Sequence, residues 1–130
     1  MDTIVCYDII TGTQQGVFKA GFPDAWTVAC IIPNTNPLNC PLDPGPDFDF
    51  AQGPQSALSK DRNTGERRRL IIDCSKGGIC YALDYDAFTT ASIVDLVWAT
   101  QAAPGGITGG MQWGSANDDT GLYFAISNSG

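Results

Sequence analysis

Three short stretches of this 130-residue chain hold side chains whose types and spacing could do chemistry. The first is Gly109-Gly110-Met111-Gln112-Trp113-Gly114. Paired glycines let a backbone turn sharply or approach a ligand closely. Trp113 stands beside them, where a flat ligand could lie on its ring. Core packing is the other reading of that ring, because Trp is mostly buried in folded proteins. The second stretch is Gly45-Pro46-Asp47-Phe48-Asp49-Phe50, in which carboxylates and aromatic rings alternate. In an extended segment Asp47 and Asp49 share one face, and Phe48 and Phe50 the other. Carboxylates beside Pro and Gly are as readily ordinary turn residues. The third is Ser75-Lys76-Gly77-Gly78, a hairpin turn that presents one ammonium group. Asp118 and Asp119 could hold calcium, but Asn117 to Gly121 reads as a polar turn.

Composition removes several chemistries. The chain has no His, which excludes His-based triads, His zinc sites and haem attachment through Cys-x-x-Cys-His. Its formal charge of −7 argues against nucleic acid as a partner, since phosphate binding needs a basic field. The basic cluster Arg67-Arg68-Arg69 lies between acidic segments and reads as a solvated turn. Five cysteines (Cys6, Cys30, Cys40, Cys74 and Cys80) contain no Cys-x-x-Cys pair, which weakens zinc and thioredoxin-like readings. Cys30 and Cys40 flank a Pro- and Asn-rich loop that a disulfide would staple in an oxidising compartment; free buried thiols are the equal alternative. No apolar run is long enough to span a bilayer, so no membrane partner is expected. Met1-Asp2-Thr3 lacks the basic start and apolar core of a signal peptide.

The elements that must position these residues are strands. Fifteen Gly and eight Pro favour a loop-rich β protein. Thr3–Tyr7 and Val17–Ala20 flank a turn with Gly12 and predict a hairpin over 3–20. Residues 21–53, with Pro23, Pro33, Pro37, Pro41, Pro44 and Pro46, form a long excursion that holds at most one strand, within Asp24–Ile32. Gln55–Ser59, Arg69–Cys74, Ile79–Asp84 and Val94–Ala99 read as four more strands, and Ala87–Ile93 as one helical turn at most. The apolar run Leu122–Ile126 is a strand after a polar turn. A weak repeat links Val5-Cys6-Tyr7-Asp8 and a later Phe18 to Tyr81-Ala82-Leu83-Asp84 and a later Trp98. Short strands, Asp-containing turns and a closing aromatic are the pattern of propeller blades.

Taken in order, these segments resemble the dehydrogenases that use pyrroloquinoline quinone (PQQ) on an eight-bladed β-propeller, and within them the polyvinyl-alcohol-dehydrogenase-like branch. The resemblance is carried by Asp24–Cys30 with Asn39-Cys40-Pro41, by Gly45–Phe50, by Ser75-Lys76-Gly77 in a hairpin ending at Asp84, and by Pro104-Gly105-Gly106 leading to Gly109–Ala116. It covers nearly the whole chain. It implies an all-β fold of about two four-stranded antiparallel blades with a long Pro-rich loop. Residues 3–20 would end one blade, 21–53 would cross the top face, 54–99 would complete a blade, and 109–126 would begin the next. The family's Ala-x-Asp to Trp docking motif is similar to Ala82-x-Asp84 with Trp98, without its Thr-Gly turn.

The resemblance also implies roles. Asp47, and next Asp49, would be the general base on an alcohol substrate, small or polymeric, with calcium beside Asp47. The segment is one residue out of register with the family's. Lys76 would contact the quinone, and Gln112 with Trp113 would stand for the family's Asn-Trp quinone contact. A secreted or periplasmic setting would follow. A chain of two blades is expected to be inactive alone and to self-associate through open edges. The competing classes are a secreted β module that binds carbohydrate through Trp26, Trp98 and Trp113, and a gene remnant without function.

Overall fold

The computed structural model describes residues 2–21, 25–32, 36–61, 63–90, 92–106 and 108–127. These residues are all-β with almost no helix. Strands β1 (Asp2–Tyr7) and β2 (Gln14–Ala20) form an antiparallel hairpin in which Ile4 faces Phe18. Asp8 nucleates its turn, since Oδ1 accepts the N–H groups of Ile10 and Thr11 at 2.9 and 2.8 Å.

The centre is a four-stranded antiparallel meander of β3 (Gln55–Lys60), β4 (Arg67–Cys74), β5 (Ile79–Asp84) and β6 (Leu96–Gln101), hydrogen-bonded in that order. One helical turn, α1 (Ala87–Thr90), joins β5 to β6. Two short strands, β7 (Ala116–Asn117) and β8 (Leu122–Tyr123), pair with each other.

The sequence reading and the structure differ in three places. Residues 25–32 hold a 3-10 turn at Val28–Cys30 instead of a strand, and Asp24 lies outside the described residues. The Pro-rich return segment offers no ladder for a strand there; instead Thr27 Oγ1 donates to Asn39 O at 2.9 Å. The run Leu122–Ile126 is strand for only two residues, because Phe124 turns inward onto the Cys74, Cys80 and Met111 cluster. Strand β6 begins at Leu96, because Val94 is drawn to the first hairpin, where its N–H donates to Val17 O at 3.0 Å.

Alternation along β4 decides what each face of the central sheet meets. Leu70 and Ile72 point to one face, where they pack with Ala57 and Ala82 under Leu122. Ile71 points to the other, where Leu83 joins Ile4, Phe18, Ala20, Phe88 and Val94. Tyr81 ties that side together, with its ring centroid 5.5 Å from Phe18 and 5.7 Å from Phe50. The first hairpin therefore covers one face, and the β7–β8 region covers part of the other.

Asp73 breaks the pattern. It lies on β4 opposite Tyr81, is 2 % exposed, and accepts the Cys74 N–H at 2.9 Å. Burial pushes its carboxyl up to about 7, and the Cys74 N–H offsets only part of this. A folded-state pKa above the unfolded value means that the native state holds the proton longer. Native stability is then greatest below the ordinary carboxylate range and declines as pH rises towards 7. Asp73→Asn is expected to flatten that decline and to raise the urea midpoint at pH 8. Urea unfolding from pH 4 to 8 measures both.

Candidate functional site

The turn between β4 and β5 carries Lys76. Its backbone closes through Ser75 N to Ile79 O and Gly78 N to Ser75 O, both 2.9 Å. Gly78 takes φ +81°, and a Cβ there would collide with the Ala103 carbonyl, so only glycine fits. The turn is gripped from two sides. Lys76 N donates to Asp49 O at 2.9 Å, and Lys76 O accepts from Gly106 N at 3.1 Å. Gly110 backs directly onto the same carbonyl, where a side chain would collide with it.

The Lys76 side chain turns in towards two carboxylates. Its Nζ lies 2.5 Å from Asp47 Oδ2 and 3.1 Å from Asp49 Oδ1. Lys76 and Asp47 are largely buried, with side chains 12 % and 15 % exposed, while that of Asp49 is half exposed. The 44–50 segment is not a strand, so alternation does not bring the two carboxylates together. Asp47 reaches the ammonium because its backbone is left-handed, at φ +60°. Asp is among the non-glycine residues that tolerate this conformation best. Burial lowers the affinity of Lys76 for its proton, but hydrogen bonds and charges from Asp47 and Asp49 outweigh that and raise its pKa. Lys76 is therefore a fixed cation at neutral pH, suited to stabilising an oxyanion and unsuited to acting as a free amine nucleophile.

Asp47, Asp49 and Lys76 thus come together, while Gln112 and Trp113 do not join them. Among the described residues no hydrogen bond links either one to the three. Gln112 Nε2 donates to Gly109 O at 3.1 Å within its own loop. Trp113 is 67 % exposed, so it is not the core aromatic that burial statistics favour. Met111, its near neighbour, is fully buried instead. Ala82 faces Trp98 across β5 and β6.

The residues present fit calcium poorly. Among the described residues no three acidic, His or Cys side chains gather as a metal site, and the Lys76 ammonium lies against both carboxylates. The Trp113 ring is exposed, whereas the Lys76 ammonium is largely buried against its two carboxylates. Cavities of about 770, 630 and 210 Å³ lie elsewhere, and none is lined by Asp47, Asp49, Lys76, Gln112 or Trp113.

Two supports escaped the sequence reading. Gln101 Nε2 donates to Gly77 O at 3.1 Å and to Ala103 O at 2.5 Å, bracing the turn from β6. Cys74 and Cys80 face each other in register and are disulfide-bonded. The available signal was their place on either side of the predicted turn, Cys74 directly before it and Cys80 two residues after. A second disulfide joins Cys30 and Cys40, and Cys6 is free and partly buried.

The chain is 28 % identical over 127 residues to a polyvinylalcohol dehydrogenase from Pseudomonas sp. It is 26 % identical over 127 residues to a polyvinylalcohol dehydrogenase from Sphingopyxis sp. (strain 113P3). Each match covers 98 % of this chain and 18 % of the relative, so the chain spans under a fifth of their length. No family model and no solved structure matches it.

Lys76→Met would leave two carboxylates without their counter-ion. It is expected to lower unfolding stability by about 1–3 kcal/mol, the range for stranding a partly buried polar partner. In a urea double-mutant cycle, Lys76→Met with Asp47→Asn is expected to cost less than the two single changes summed.

Proposed function

We propose that this chain is a segment of a dehydrogenase-like β domain that oxidises hydroxyl groups, and that it does not turn over an alcohol by itself. The observation that carries this reading is the Lys76 cation held by Asp47 and Asp49 on a braced turn. Similarity to polyvinylalcohol dehydrogenases along the whole chain supports the reaction class, with hydroxylated small molecules or polymers as substrates. The central meander would be one propeller blade, and the two end sheets parts of its neighbours.

Each residue has a limited task. Lys76 donates to an oxygen that gains negative charge, where a preoriented cation is most effective. Asp47 is the first carboxylate placed to accept a hydroxyl proton, and Asp49 the second. Both are engaged by Lys76, so the accepting oxygen must be one that the ammonium leaves open. Trp113 offers its exposed face, and Gln112 its amide, to a flat quinone such as PQQ. That cofactor, when bound, supplies the two-electron acceptor. The remaining walls of the site come from outside these 130 residues. Two disulfides support an oxidising compartment such as the periplasm or the exterior.

A second reading rests on Trp98, which is 37 % exposed and lines the 770 Å³ cavity with Asn63, Asn117 and Asp118. An aromatic wall with amide and carboxylate neighbours suits a sugar.

Tryptophan fluorescence titration of the purified chain separates the two. Saturable quenching by PQQ that is lost in Trp113→Ala and weakened in Lys76→Met is expected, with calcium alone producing no change. Quenching by oligosaccharides that is lost in Trp98→Ala, with none by PQQ from a folded chain, would replace the quinone reading with the sugar reading.

A further inference from the structure

The Lys76 turn contains two adjacent glycines, Gly77 and Gly78, so its own sequence does little to fix its shape. Yet Lys76 lies within hydrogen-bond distance of Asp47 and Asp49, which come from a strandless loop. Something must hold the turn in place. Directly beneath it, Cys74 and Cys80 are paired across β4 and β5, and only residues 75–79 lie between them. The two cysteines are 0 % and 2 % exposed. Cys80 Sγ touches Met111 Sδ at 3.6 Å, and Met111 belongs to the loop whose Gly110 backs onto the Lys76 carbonyl. The disulfide therefore joins, at one buried point, both strands of the hairpin and the loop that presses on its turn.

A cross-link over so short a loop removes little freedom from the unfolded chain, so its main effect is local. We infer that the Cys74–Cys80 disulfide is a positioning device for Lys76: it fixes the base of the turn so that the ammonium stays between Asp47 and Asp49. Its functional meaning rests on the reading of Lys76 as the donor of the site, but the positional effect does not. Without the cross-link, β4 and β5 still pair through their ladder. The two-glycine turn gains freedom, and the Lys76 amine spends more time away from its carboxylates.

Amine reactivity reports this directly, without cofactor or turnover. Wild type and Cys74→Ala/Cys80→Ala are treated with formaldehyde and a borane reductant at one pH, and dimethylation is followed lysine by lysine by mass spectrometry. Lys19 and Lys60, both exposed, are the internal references. In wild type Lys76 is expected to react far more slowly than they do. In the double variant its rate relative to them is expected to rise about tenfold, while the circular dichroism spectrum is unchanged. Cys30→Ala/Cys40→Ala, which removes the other disulfide, is expected to leave the Lys76 rate as in wild type. An unchanged Lys76 rate in a folded Cys74→Ala/Cys80→Ala protein overturns the proposal. If the Ala pair does not fold, Cys74→Val/Cys80→Val, which keeps apolar volume beside Met111, is read in the same way. If neither folds, the disulfide serves the fold as a whole and the proposal falls. The absence of PQQ quenching would end the quinone reading and leave this result standing.

Discussion

The register between β4 and β5 is the constraint on which the rest depends. It pairs Cys74 with Cys80 and leaves Ser75-Lys76-Gly77-Gly78 as the turn. Side chains alternate along a strand, so a slip of one residue would send Leu70 and Ile72 to the opposite face. The buried clusters on both faces forbid such a slip. The place of the turn in the sheet is thus decided by hydrophobic burial some residues away, and the contacts around it position Lys76 itself. The carboxylates that meet it and the glycine loop behind it are arranged around a turn whose place is already settled.

Burial of charge is solved in two ways within a few residues. Asp73 is buried with no cation beside it among the described residues, and burial pushes its carboxyl up to about 7. Asp47 meets the same problem with Lys76 Nζ at 2.5 Å. The first solution makes a neutral group that tolerates apolar neighbours. The second keeps both partners charged, with one ammonium set between two carboxylates.

Much of this was legible in the residues. The Gly77-Gly78 doublet between two β-branched and aromatic runs marked the hairpin, and Asp8 with Gly12 marked the first turn. The four strands of the meander were readable in kind, with edges off by one or two residues. The meeting of Asp47 and Asp49 with Lys76 was not readable from alternation, because the 44–50 segment forms no ladder and its path is set by what it docks against. A left-handed Asp47 has no local sequence signal beyond its neighbouring Gly and Pro. The burial of Met111 beside the exposure of Trp113 follows from the close approach of Gly110 to the Lys76 carbonyl, which is a tertiary event. The Cys74–Cys80 bond was within reach, since both residues flank a turn that the sequence marks clearly.

The meander also bears on the order in which the molecule assembles. Each central strand pairs with its neighbour in sequence, so most of the ladder closes short loops and forms early at small entropic cost. The contacts that hold the Lys76 turn are of another kind. Asp49 reaches it from 27 residues before and Gly106 from 30 residues after, and neither segment has a strand to guide it. Rapid local pairing would therefore build a sheet with an unclasped turn, and the clasp would close afterwards. That order would separate the scaffold from the chemistry in time, with the sheet complete before the cation meets its carboxylates. Changes to the loops would then alter how fast the native state opens more than how fast the sheet forms.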